Sequence, residues 1–186
     1  MRALVTAASA AAVLVLATGS ASYGHQQRAD APPCAGQLIT NPSFERGTTG
    51  WTAGPRMVVL GDQARPAHTG RAYASLAGLD ITRTEVLRTD VTLPAGCKLT
   101  LRLWVRTTTT ETTRRDYLNV SLNVTGVPPK TYFALSGDGS PQWHQYTGST
   151  GTAATDRTAT VIFFASEVAG DGVTAFDVDD VTFTLS

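Results

Sequence analysis

The sequence predicts an all-β fold, two antiparallel sheets packed face to face as a sandwich or jelly roll. Short runs alternate apolar and polar residues with a period of two, and turns rich in Gly, Pro, Asp and Thr separate them. Beyond the N-terminal apolar run, no stretch holds a helical period for long. Many short strands with regular turn signals close into two stacked sheets because each strand has one apolar face to bury.

The elements follow in chain order. Residues 1–22 read as an export signal: Arg2 supplies a positive start, Ala3 to Ala17 is almost unbroken apolar sequence, and small residues surround a cleavage point after Ala21 or Ser22. The run is too short to span a bilayer comfortably, and nothing after it is apolar enough to do so. A free extracellular protein is therefore expected. Residues 23–36 are polar, carry Ala-Pro-Pro, and are expected to form a disordered lead-in. Residues 37–186 then form one domain, long enough to bury a core.

Within that domain the clearest strand is Lys98–Arg106, with Leu99, Leu101, Leu103 and Val105 on one side and Arg102, Trp104 and Arg106 on the other. A second is Tyr117–Val124, with Leu118, Val120, Leu122 and Val124 inward and Tyr117, Asn119, Ser121 and Asn123 outward. The run Ala159–Ala165 is apolar on both faces, Val161 and Phe163 alternating with Ile162 and Phe164. One of its faces must be covered or await a partner. Further strands are expected at Leu38–Thr40, Met57–Leu60, Tyr73–Leu76, Glu85–Leu93, Thr131–Ala134, Gln142–Gly148 and Phe176–Leu185. The Thr-rich Thr107–Thr113 is expected to be a loop.

Charge excludes some functions. Fifteen basic and fifteen acidic residues cancel, so there is no basic excess to draw nucleic acid or an anionic membrane. Cys34 and Cys97 are the only cysteines; in an exported chain such a pair reads as a disulfide, the alternative being two buried thiols. His25, His68 and His144 are scattered and offer zinc no ligand spacing.

Two motifs bracket the domain: Asn41-Pro-Ser-Phe-Glu-Arg-Gly47 with Gly50-Trp51 near its start, and Phe176-Asp-Val-Asp-Asp-Val-Thr-Phe183 near its end. In the first, Pro42 fixes φ, Asn41 and Ser43 are suited to bond nearby amides, and Phe44 and Trp51 read as apolar anchors of the core. Gly70, within His68-Thr-Gly-Arg-Ala-Tyr73, suits a turn that needs positive φ. The ordered set of NPSFERGTTGW, AHTGRAYASL, VTLPAGCKLTLRLWVR, RRDYLNVSLNV, QWHQY, TATVIFFAS and FDVDDVTFTL resembles the carbohydrate-binding-module-like, galactose-binding-type jelly-roll domains of secreted bacterial proteins. The resemblance spans roughly Leu38 to Leu185.

The resemblance implies a domain that binds a polysaccharide or cell-wall glycan without changing it. It also implies a structural Ca²⁺ shared by Glu45, by Asp179 or Asp180, and by main-chain oxygens around Thr69 to Arg71. Such hard oxygen donors suit Ca²⁺, and a cation would relieve repulsion among Asp177, Asp179 and Asp180.

From the residues themselves, the expected ligand surface is one sheet face bearing Trp104, Arg102, Arg106, Tyr117, Asn119, Ser121 and Asn123, rings for sugar CH faces and polar groups for hydroxyls. The alternative is that a loop, with the Thr-rich segment the candidate, covers Trp104, and that the Arg and Asn residues are ordinary exposed ones. Another secreted protein could instead occupy the Ile162 and Phe164 face. Catalysis is the weakest reading: the sequence has no Gly-x-Ser-x-Gly, no His-Glu-x-x-His and no phosphate-cradling glycine loop. Glu45, Glu111 and Glu167 could in principle supply a glycosidase pair, but no pattern joins them.

Overall fold

The computed structural model describes residues 34–136 and 140–186, so the expected signal segment and most of the expected lead-in lie outside the described residues. The strands are β1 Val58–Leu60, β2 Ala72–Ala77, β3 Arg83–Leu93, β4 Lys98–Thr109, β5 Tyr117–Val124, β6 Lys130–Ser136, β7 His144–Thr152, β8 Arg157–Glu167 and β9 Thr174–Leu185. A five-stranded sheet runs in the order β1-β2-β9-β4-β7 and a four-stranded sheet in the order β3-β8-β5-β6. Every pairing is antiparallel. Among the described residues no helix is long and apolar enough to cross a membrane. The fold is an all-β jelly-roll sandwich, as its alternating pattern predicts.

Period-two alternation builds the core. Leu99, Leu101, Leu103 and Val105 of β4 are buried against Leu118, Val120 and Leu122 of β5 and Val161 and Phe163 of β8, all in one hydrophobic cluster. Full burial of such side chains stabilises by roughly 1.5–3 kcal/mol each before chain entropy is charged. In β9 the alternation slips: Phe176 and Val178 face the core, then Val181 and Phe183 do. The extra residue is absorbed where the β4–β9 register shifts between Arg102 and Trp104, with Asp180 at φ 46. This β-bulge keeps both apolar pairs inside and turns Asp177 and Asp179 outward, onto the far side of the sheet.

The first motif folds around its own side chains. Asn41, at φ 62, donates through Nδ2 to the carbonyls of Gly47 (2.8 Å) and Thr49 (3.2 Å), and its Oδ1 accepts from the Arg46 amide at 3.0 Å. Trp51 donates from Nε1 to the Asn41 carbonyl at 3.1 Å, and its ring packs on Phe44 and Phe163. Trp51 is thus a core residue.

Three expectations about elements need correction. Leu38–Thr40 is not a strand: the Gln37 side-chain oxygen takes the amides of Phe183 (2.6 Å) and Ile39 (3.2 Å), leaving a single bridge between Gln37 and Thr184. The Thr-rich segment is partly strand, because β4 continues to Thr109 along β9. Residues 34–36 are not a loose lead-in. Cys34 is bonded to Cys97 across 63 residues, and the Gly36 carbonyl accepts the Leu185 amide at 3.1 Å. A cross-link closing a loop of that length stabilises by about 4 kcal/mol on the chain-entropy account.

Candidate functional site

The expected single ligand face is divided by the topology. Arg102, Trp104 and Arg106 lie on β4 in the five-stranded sheet, whereas Tyr117, Asn119, Ser121 and Asn123 lie on β5 in the four-stranded sheet. Strands β4 and β5 are consecutive in sequence but cross from one sheet to the other. Their outward residues therefore look away from each other across the full thickness of the sandwich.

The segment 61–71 covers the part of the outer face of the five-stranded sheet that bears Asp177, Asp179, Trp104 and Arg106. At the centre of that part is Asp177, wholly buried, which pairs with Arg65 (2.6 Å) and with Arg106 (2.9 Å from Nε, 2.8 Å from Nη2). Arg106, 5% exposed, also donates to the Pro66 carbonyl at 2.8 Å and lies over the rings of Trp143 (4.5 Å) and Tyr73 (5.2 Å). His68 stacks on Trp104 with ring centroids 4.0 Å apart. Trp104 is therefore half-buried under a loop, and that loop is 61–71, not the Thr-rich segment. Arg106 is consumed by Asp177 and Pro66 and is not free to contact a ligand. Arg102 remains exposed on this side.

Carboxylates fasten the same segment from beneath. Asp179 Oδ2 accepts the amides of His68 (2.9 Å) and Thr69 (3.2 Å), while Oδ1 accepts that of Asp180 (2.8 Å). Burial pushes the Asp179 carboxyl up to about 7, against the opposing pull of those three bonds. Asp180 binds His68 Nδ1 (2.5 Å) and the Thr69 hydroxyl (2.7 Å). Glu45 Oε1 accepts the amides of Ala72 and Arg71, both at 2.7 Å, which hold its carboxyl below the usual range. Gly70, at φ +64, presses its backbone so close to the Glu45 carboxylate that a Cβ would collide with it.

This cradle bears on the expected Ca²⁺. Among the described residues no three His, Cys, Asp or Glu side chains converge as a metal cage. A cation here would draw most of its ligands from main-chain oxygens, with Glu45 and either Asp179 or Asp180 as the carboxylates. Both Asp179 oxygens accept amides, and both Asp180 oxygens are bonded as well, to His68 Nδ1 and the Thr69 hydroxyl, so occupancy does not choose between the two. Gly70 leaves no room for a Cβ against Glu45, and the turn presents the amides of His68, Thr69, Arg71 and Ala72 to the carboxylates.

The outer face of the four-stranded sheet is different in character. Register places Phe164 between Val86 of β3 and Asn119 of β5, and Ile162 between Arg88 and Ser121. The Tyr117 ring lies 6.2 Å from that of Phe164. Tyr117 and Val86 are 38% and 41% exposed, and Ile162 and Phe164 are half-buried. The Asn123 side-chain oxygen is buried without a hydrogen-bond partner. Phe164 and Ile162 were legible in the sequence through the two-sided apolar run. The strand beside them was not, because pairing β8 with β5 rather than β4 is a long-range choice.

The sequence matches no protein-family model and no curated protein. Solved structures do resemble the fold. A family 61 carbohydrate-binding module, TmCBM61, in complex with β-1,4-galactotriose, shares 18% identity at TM-score 0.64, covering 81% of this chain and 99% of that one. A family 16 carbohydrate-binding module shares 18% identity at TM-score 0.53, covering 79% and 99%. A cyclase from Fischerella sp. TAU, in complex with 4-(1H-indol-3-yl)butan-2-one, shares 14% identity at TM-score 0.50, covering 82% and 98%. The chain thus has a carbohydrate-binding-module-like jelly-roll fold. Its disulfide fits an extracellular domain.

Proposed function

We propose that the protein is a secreted, non-catalytic module that binds a polysaccharide or cell-wall glycan across the outer face of its four-stranded sheet. The observation that carries this reading is the open strip of Tyr117, Phe164 and Ile162, flanked by Asn119, Ser121 and Asn123. An apolar, aromatic strip beside amide groups offers a stacking surface for sugar rings and hydrogen bonds for hydroxyls. The fold shared with carbohydrate-binding modules supports the same reading. The half-buried Trp104 and the buried Arg106, which the sequence also suggested, act in holding segment 61–71 over the opposite face.

The carboxylates considered for catalysis have other work. Glu45 holds residues 71–72, Glu111 holds the amides of Arg115 and Asp116, and Glu167 holds those of Leu79 and Asp80. This supports binding over turnover. Export through residues 1–22 belongs to the same proposal. So does a structural Ca²⁺ held by Glu45, by Asp179 or Asp180, and by main-chain oxygens around Thr69 to Arg71. Excess chelator is expected to lower the melting temperature and added Ca²⁺ to restore it; an unchanged melting curve removes the ion.

Affinity electrophoresis or calorimetry against a panel of soluble polysaccharides tests the binding face. Tyr117→Ala and Phe164→Ala are expected to abolish retardation by a bound glycan that Trp104→Ala still recognises. Binding that follows Trp104 and ignores Phe164 overturns the assignment. Capture of a stoichiometric protein partner through Phe164, with no glycan bound, would make the strip a protein-docking face instead.

A further inference from the structure

At one end of the sandwich the β4–β5 connection meets the β8–β9 connection. The Thr112 amide donates to the Asp171 carbonyl at 3.3 Å, and Gly172, at φ +117, sits so tightly that a Cβ would lie 2.6 Å from the Thr110 carbonyl oxygen. Four carboxylates lie on or beside these connections: Glu111, Asp116, Glu167 and Asp171.

Most of their oxygens are accounted for. Glu111 Oε1 accepts the Arg115 and Asp116 amides, and Oε2 the Thr174 hydroxyl. Glu167 Oε1 accepts the Leu79 and Asp80 amides, and Oε2 faces Arg83 Nε at 3.2 Å. Asp116 Oδ1 accepts the Val168 amide at 2.7 Å, while Asp171 Oδ2 takes the Thr113 hydroxyl and lies 3.7 Å from Arg115 Nε. Two oxygens remain, Asp116 Oδ2 and Asp171 Oδ1, and both are buried without a hydrogen-bond partner. Asp116 is 0% exposed and the Asp171 side chain 9%.

A buried carboxylate oxygen with no donor is costly, and native proteins leave few of them. Burial raises the Asp116 pKa first, the Val168 amide opposes it, and the charges of Glu111, Glu167 and Asp171 raise it further. A positive ion between the connections would satisfy both orphan oxygens and offset the repulsion.

We propose that Asp116 Oδ2 and Asp171 Oδ1 bind a divalent cation of the Ca²⁺ class, stapling the β4–β5 and β8–β9 connections at a site separate from the Glu45 cradle. Since no three such side chains converge among the described residues, main-chain oxygens and water complete the coordination. Arg115 approaches only Oδ2 of Asp171, at 3.7 Å, and leaves Oδ1 without a partner.

Equilibrium dialysis of the purified protein against Ca²⁺ tests this, with Glu45→Gln used to remove the other candidate ion. Glu45→Gln is expected to retain one Ca²⁺ per chain, and adding Asp171→Asn to lose it. Asp171→Asn changes a residue of an exposed connection and should fold; circular dichroism checks that it does, and Asp116→Asn gives the second reading. No ion retained by Glu45→Gln, or retention unaffected by Asp171→Asn, overturns the site. A proton on Asp116 or a trapped water is the explanation those results would leave. If the Glu45 cradle itself binds nothing, the wild type takes up a single ion that responds to Asp171→Asn and not to Glu45→Gln.

Discussion

The two outer faces of the sandwich come from strands of the same alternating type, yet one has a loop bonded down over its buried charges and the other stands open. On the five-stranded sheet the outward positions include Asp177, Asp179, Arg106 and Trp104, and the segment 61–71 is bonded down over them. On the four-stranded sheet the outward positions include Tyr117, Ile162 and Phe164, and they stand half-open. Buried charge calls for partners and recruits a loop, whereas an apolar strip can wait for a ligand. The chemistry of the outward residue decides which face is architecture and which is surface.

The sharpest way to break that contrast is at Asp177. Asp177→Ala leaves Arg106 buried and Arg65 partly buried without their shared counter-charge, and should cost about 3–5 kcal/mol in urea denaturation. Tyr117→Ala, on the open face, should cost under about 1 kcal/mol. Comparable losses at the two positions would mean that the faces are not different in kind. Binding should show the reverse order. Phe164→Ala is expected to weaken a bound glycan about tenfold or more, equivalent to about 1.4 kcal/mol, while Asp177 variants that remain folded keep their affinity.

How much of this was legible in the sequence follows from the range of each interaction. The strands β4 and β5 were readable because Leu99-Leu101-Leu103-Val105 and Leu118-Val120-Leu122 alternate locally. The doubled Asp179-Asp180 broke the alternation of the last strand, and a bulge stands there. Which sheet each strand joins was not readable, since β4 pairs with β7 and β9, and β5 with β6 and β8. Splitting the supposed single ligand face was the direct consequence. The cover over Trp104 was equally hidden: segment 61–71 has no apolar pattern, and Arg65 finds Asp177 112 residues away.

Gly70 sharpens the comparison on the loop-covered side at smaller cost. It combines φ +64 with contact against the Glu45 carboxylate, so Gly70→Ala strains the backbone and pushes away the acceptor of the Arg71 and Ala72 amides. A loss of about 1–2 kcal/mol is expected, with faster proteolysis of segment 61–71 than in the wild type. An equivalent Gly36→Ala change, at φ +112 but in open space, should lose less because only the backbone strain remains.

The smallest effect is expected at Arg102, and it tests the assignment of faces most cleanly. Arg102 shares its side of β4 with Trp104 and Arg106 but is exposed, and Thr182 bonds its main-chain carbonyl at 3.4 Å, a contact that survives truncation. Arg102→Ala should therefore change stability by no more than about 0.5 kcal/mol. It should also leave glycan affinity unchanged, because its guanidinium points away from the strip on the other sheet. A tenfold loss of affinity in Arg102→Ala would bring the glycan to the five-stranded sheet. The segment 61–71 would then be the rim of a binding site and the Phe164 strip would need another occupant.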